Sequence, residues 1–274
     1  MRRRVFAVRY ARREGRRADH FYGPDPPDPH DAPMAMDYFL WAIAGDGPPI
    51  VVDAGYLPET GRRRGRETVA DPIATLAALG IDAADVRDVV LTHLHYDHSG
   101  HLAAFPRARF WVQDAELAFW TGRHAARGEI GRTVEPVDVV ELVRLNFERR
   151  VRFVDGDEEM APGVSLHRVG GHAPGLQVVR LATPRGPLVL ASDAVHFWEN
   201  LELDRPFAVL DSVPGAYDAF DRVRALAGGD DRRIVPGHDP LVLERWAAPS
   251  PELDGRAVEV EPAVPPGAAG LGAG

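Results

Sequence analysis

The sequence contains no cysteine and no lysine. The first absence excludes disulfides, thiolate nucleophiles and every zinc site that needs sulfur. The second excludes Schiff-base chemistry and a Walker-type phosphate loop, and it makes all 32 basic residues Arg. No apolar run approaches the roughly 18 residues of a membrane-spanning helix. The cluster Arg2, Arg3, Arg4 is followed too soon by Arg9, Arg12 and Arg13 to leave the apolar stretch of an export signal. A cytoplasmic, soluble protein is the expectation. Positive charge is short as well: 32 basic against 41 acidic residues give a net charge of −9. That argues against nucleic acid or an anionic membrane as a partner. Catalysis falls to His, Asp, Glu, Ser, Tyr or a metal ion.

The 274 residues, 45% hydrophobic and 27% charged, suffice for one sizeable core. Five prolines in residues 23–33 mark a loop. From Ala247 the chain turns to Pro, Gly and Ala, so the expected division is a folded domain over 1–246 and a mobile tail over 247–274. Between them, short apolar strands alternate with amphipathic helices. Strands are predicted over 38–43, 50–52, 86–91, 110–112, 164–168, 177–181, 188–191 and 233–235. Helices are predicted over 71–79, 114–121 and 217–227, the first two capped by Asp71 and Asp114. The class is α/β, with sheets sandwiched between helices. Polar residues repeatedly follow apolar strands, which is where such folds place their sites.

The central feature is Thr92-His93-Leu94-His95-Tyr96-Asp97-His98-Ser99-Gly100. On an extended segment residues two apart project to one side, so His93 and His95 can grip one ion. Asp97 and His98 point elsewhere as the chain turns and can reach a second, with Gly100 permitting a tight turn beneath. His172 lies in a Gly- and Pro-flanked loop, while Asp193 and His238 each follow an apolar strand. The set closes with His93, His95 and His172 on one ion, Asp97, His98 and His238 on the other, and Asp193 bridging. Nitrogen and carboxylate ligands suit zinc, with iron, manganese or cobalt as alternatives. Two such ions make hydroxide available at neutral pH and favour a carbonyl that becomes an oxyanion, while Asp97 can relay a proton to the leaving group. The reaction class is hydrolysis of an ester, lactone, thioester, amide or phosphoester. His20, His30 and His124 read as solvated.

The pattern H-x-H-x-D-H followed by separated His, Asp and His resembles the metallo-β-lactamase fold superfamily of hydrolases, from about residue 38 to about 242. The resemblance implies a four-layer αβ/βα sandwich with a dinuclear site at one edge of two sheets, and casts Asp53 of Val51-Val52-Asp53-Ala54-Gly55 as a support behind the ligands. Within the superfamily, Gly171-His172-Ala173-Pro174-Gly175, Ala191-Ser192-Asp193-Ala194 and Pro236-Gly237-His238-Asp239-Pro240 look most like the N-acyl-homoserine lactonases, which open lactone rings and silence bacterial quorum signals. A thioesterase like glyoxalase II is the alternative, and a non-catalytic binding domain a remote one. Lactonases typically carry a substrate-binding Tyr three residues past the bridging Asp; here the residue is His196, expected to donate a hydrogen bond in its place. A small lactone or ester is the implied partner, to a monomer or homodimer.

Overall fold

Period-two alternation decides the layers. In β1 (Arg3–Arg16), Val5 and Ala7 belong to one buried cluster and Phe6 and Val8 to another, so the strand needs cover on both faces. The computed structural model, which describes residues 3–23 and 32–261, supplies that cover. The next strands are β2 (Pro33–Gly45), β3 (Ile50–Val52), β4 (Glu67–Thr68), β5 (Asp88–Val90), β6 (Arg109–Gln113) and β7 (Val151–Val154). They are followed by β8 (Asp157–Ala161), β9 (Val164–Arg168), β10 (Gln177–Thr183), β11 (Gly186–Ser192), β12 (Ile234–Pro236) and β13 (Ala257–Val260). One sheet runs β13-β1-β2-β3-β5-β6-β7, with β4 paired to β1, and the other β12-β11-β10-β9-β8.

The helices are α1 (Pro58–Arg63), α2 (Pro72–Ala78), α3 (Asp114–Trp120), α4 (Gly128–Gly131), α5 (Pro136–Phe147), α6 (Trp198–Glu202), α7 (Val213–Leu226) and α8 (Leu241–Arg245). Phe39, Trp41 and Ile43 of β2 meet Leu166, Val179 and Leu190 of the second sheet and form the core between sheets. Leu40 and Ala42, on the opposite face, pack with Leu76 of α2, Leu117 of α3 and Leu142 of α5. Phe220 and Val223 of α7 cover Val178 and Val189 of β10 and β11. The order helix, sheet, sheet, helix is the expected αβ/βα sandwich.

Three expectations change. The stretch read as a tail from Ala247 contains β13, whose Ala257, Val258 and Val260 are buried and whose register on β1 runs Val5↔Val260 to Val8↔Ala257. A short run of apolar residues is enough when an edge of sheet awaits it, and the folded part extends past residue 246. Residues 262–274, like His30 and the prolines of 24–31, lie outside the described residues. Asp71 caps α2 through Ile73 and Ala74 as predicted, but α3 starts after Gln113 and Asp114 makes no cap bond. His20 is fully buried, its Nε2 3.1 Å from the Met34 carbonyl oxygen, with the rings of Phe197 and Phe207 beside it.

Candidate metal centre

Strand ends assemble the site. The loop after β5 carries His93, His95, Asp97 and His98, the β9–β10 loop carries His172, and Asp193 and His238 follow β11 and β12. Gly100 is required by a close approach: a Cβ there would lie 2.7 Å from the Tyr56 Cα, because the Gly100 N–H donates to the Gly55 carbonyl. Gly171, at φ +82°, sits under the first turn of α7, where a Cβ would lie 2.7 Å from the Ala216 Cα. The two loops are thereby pinned to the scaffold at a residue adjoining or near a candidate ligand.

All seven predicted ligands come together and are buried. His93, His95, His172 and Asp193 each offer a ligand atom within 4.8 Å of one another, and Asp97, His98 and His238 do the same. Asp193 lies between the groups. Its Oδ2 is 3.8 Å from His93 Nε2 and 3.3 Å from His172 Nε2, while its Oδ1 is 3.2 Å from His98 Nε2 and 3.1 Å from His238 Nε2. Asp97 Oδ2 faces His98 Nε2 at 3.7 Å and His238 Nε2 at 3.8 Å. Each oxygen of Asp193 thus addresses a different group, as the expected bridge requires.

The outer nitrogens fix the rings. Asp53 Oδ2 is 2.8 Å from His98 Nδ1, the Val209 carbonyl 2.8 Å from His172 Nδ1, and the Asp37 carbonyl 2.8 Å from His238 Nδ1. Each such acceptor holds the proton on Nδ1 and turns the lone pair of Nε2 inward. Nε2 of His93 and of His98 is buried with no hydrogen-bond partner. Orphaned nitrogens in a buried cluster are costly unless a cation meets them, so the donor set fits divalent metal ions. Burial, helped by neighbouring imidazoles, pushes the pKa of His93 and His95 well down and favours the neutral form that binds metal. Burial opposes charge on His98 and His238 too, but the carboxylates of Asp193 and Asp97, joined at His98 by that of Asp53, together outweigh it and raise both. A cation is favoured there.

Sequence reasoning did not find Glu116 or the part played by Thr92. Glu116, fully buried, accepts from the Leu94 N–H and Trp120 Nε1 through Oε1 and from the Gly175 N–H through Oε2. It clamps the His95 loop to the His172 loop. Thr92 donates its N–H to Asp53 Oδ1, and its hydroxyl lies 2.9 Å from both Asp53 oxygens and from Ser192 Oγ. Asp53 and Ser192 adopt positive φ, +66° and +45°, which for non-glycine residues costs energy and is found where packing over-determines the backbone.

His196 differs from the expectation. Its Nε2 is 3.0 Å from Asp193 Oδ2, and its ring stacks on Phe207 with centroids 3.6 Å apart. Burial holds its pKa down at about 3. A neutral ring whose proton faces Asp193 has none left to donate to substrate through Nδ1. The geometry makes it a partner of the Asp193 carboxylate.

A cavity of about 550 Å³ opens over both groups. His95, Asp97, His172, Asp193 and His196 border it, with Met36, Phe119, Trp120, Ile130 and Phe207 among its apolar lining and Tyr38, Tyr96, Arg64, Arg66, Glu129 and Asp211 among its polar lining. No helix among the described residues is long and apolar enough to cross a membrane.

Comparison with known proteins agrees with this architecture. An N-acyl homoserine lactonase of Bacillus sp. is 30% identical over 235 residues, 79% of this chain and 87% of that protein. The structure of an N-acyl homoserine lactone hydrolase with the product N-hexanoyl-L-homoserine at its catalytic metal centre superposes with a TM-score of 0.70 at 21% identity, covering 89% of this chain and 96% of the other. AidC, a dizinc quorum-quenching lactonase in complex with its product, gives a TM-score of 0.69 at 18% identity, covering 86% and 87%. The sequence profile of one family spans residues 37–238, from β2 to the last candidate ligand, and by that match the chain belongs to the metallo-beta-lactamase superfamily.

Proposed function

We propose that the chain is a metal-dependent lactonase that opens N-acyl homoserine lactones with two divalent ions, zinc before iron, manganese or cobalt. The observation that carries the reading is Asp193, with one oxygen on each ligand group; the Bacillus lactonase, alike over most of both chains, supports the substrate class. His93, His95 and His172 would hold one ion and Asp97, His98 and His238 the other, with Asp193 shared. When bound, the ions supply Lewis acidity toward the lactone carbonyl and acidify water. The residues do the rest. The apolar wall around Phe119 and Trp120 holds the acyl chain and excludes water. Asp97 borders the cavity beside the second group, placed to carry a proton to the ring oxygen as it departs. His196 keeps Asp193 turned toward both groups.

The test joins stoichiometry to product. Elemental analysis of protein never exposed to chelator should find two ions per chain. Lactone turnover should release one acid and no second product by mass spectrometry. One ion or none overturns the dinuclear reading, and thioester cleavage without lactone turnover moves the assignment to the thioesterase.

A further inference from the structure

Four arginines border the cavity, and three of them are paired with carboxylates: Arg13 with Asp19, Arg64 with Glu135 and Arg132 with Glu129. Arg66 is not. It is half-buried between α1 and β4, and among the described residues no carboxylate forms a salt bridge with it. Its Nε donates to the Tyr96 hydroxyl at 3.1 Å and its Nη1 to the Arg64 carbonyl at 3.0 Å, which leaves Nη2 without a partner. The Tyr96 hydroxyl, 3.3 Å from that of Tyr38, already takes the Arg66 Nε–H, so these phenols steady the guanidinium without neutralising it. A cation that has given up part of its hydration, and that feels Asp97 only from beyond salt-bridge distance, has room for an anion from outside. The wall also holds the acids Glu129, which is paired with Arg132, and Asp211, but Met36, Phe119, Trp120 and Ile130 give it an apolar part, and an anion that reaches Arg66 along that part is carried on a hydrocarbon chain.

We infer that the preferred substrate is a lactone whose acyl chain bears a carboxylate, and that Arg66, on the cavity wall, receives this carboxylate through Nη2. A single free nitrogen suits a monoanion better than a phosphate, which offers more oxygens than Arg66 alone can meet. The inference rests on the lactonase reading for the reaction, but not for the recognition.

Two substrates of equal length decide it: N-hexanoyl homoserine lactone and its analogue with the terminal methyl replaced by carboxylate. With the metal-loaded protein, kcat/KM should favour the carboxylate form by about 10- to 100-fold, the worth of one charge-assisted hydrogen bond, and chiefly through KM. Added salt should shrink the preference. Arg66→Gln should bring the ratio of the two kcat/KM values close to one, and Arg66→Lys should keep part of it. Equal turnover by the unaltered protein, or a ratio unmoved by Arg66→Gln, overturns the inference. Should neither lactone be opened, the lactonase reading fails alone, and calorimetric binding of the two ring-opened products settles the recognition. Tighter binding of the product with the extra carboxylate, lost in Arg66→Gln, supports it, and equal binding overturns it. If Arg66→Gln does not fold, the substrate preference of the unaltered protein and its salt dependence decide the matter.

Discussion

Asp53 and His98 are 45 residues apart, yet Asp53 Oδ2 lies 2.8 Å from His98 Nδ1 with both side chains buried. The same carboxylate accepts from Thr92, at the start of the loop that carries His98. It therefore sets both the path of the loop and the tautomer of one ring. Asp53→Ala should weaken metal binding at the group of Asp97, His98 and His238 by about 10- to 100-fold, as loss of an outer partner does elsewhere. Metal content after graded dialysis against chelator would show one ion lost before the other. Parallel loss of both would mean that Asp53 serves the whole loop.

Asp97→Asn keeps the size of the side chain and one oxygen but removes the acid. At full metal occupancy kcat should fall by about 10²–10⁴-fold, the usual worth of a general acid–base group. Turnover near that of the unaltered protein, with both ions present, would remove the proton-relay role.

His196→Phe should lower kcat by about 10-fold with little change in KM, because it deletes a hydrogen bond to Asp193 rather than one to substrate. His196→Gln can place an N–H near the lost Nε2 and should recover much of the rate. A rise in KM alone would return His196 to the substrate.

Glu116→Ala strands three N–H donors, those of Leu94, Gly175 and the Trp120 indole. Unfolding free energy should drop by about 2–5 kcal/mol, measured by denaturant titration of the metal-free protein so that ion loss does not enter.

Asp138, buried in the first turn of α5, has its pKa raised from 3.8 to about 7 by burial and by the nearby Glu135. The folded state thus binds its proton more tightly than the unfolded chain. The stabilisation is complete below the unfolded value and is lost as pH rises through about 7. Asp138→Asn should gain in Tm over the unaltered protein as pH rises across that window. A difference in Tm that does not change with pH would sink the argument.

The candidate ligands were legible because metal chemistry restricts residue type and spacing: His93, His95, Asp97 and His98 announce themselves, and His172, Asp193 and His238 each follow an apolar strand or sit in a Gly-rich loop. Support for those ligands was less visible. Glu116 stands in an ordinary amphipathic helix, and nothing local distinguishes a carboxylate that will meet three N–H donors from one that will meet water. β1 escaped notice because its arginines dilute the alternation of Val5, Phe6, Ala7 and Val8, which becomes meaningful only once sheet and helices cover both faces. Arg66 is invisible for a related reason, since a missing counter-ion is a property of the folded neighbourhood.

β13 covers the outer edge of β1, and Arg4 and Glu259, joined across that edge, stand 255 positions apart. During synthesis β1 leaves the ribosome long before the strand that shields it. Until then the hydrogen-bonding row of β1 is open to any extended segment, including another nascent chain on the same message. The arginines along β1 keep like-charged neighbours at a distance while it waits, so the residues that hid this strand from a hydropathy reading also guard it during translation.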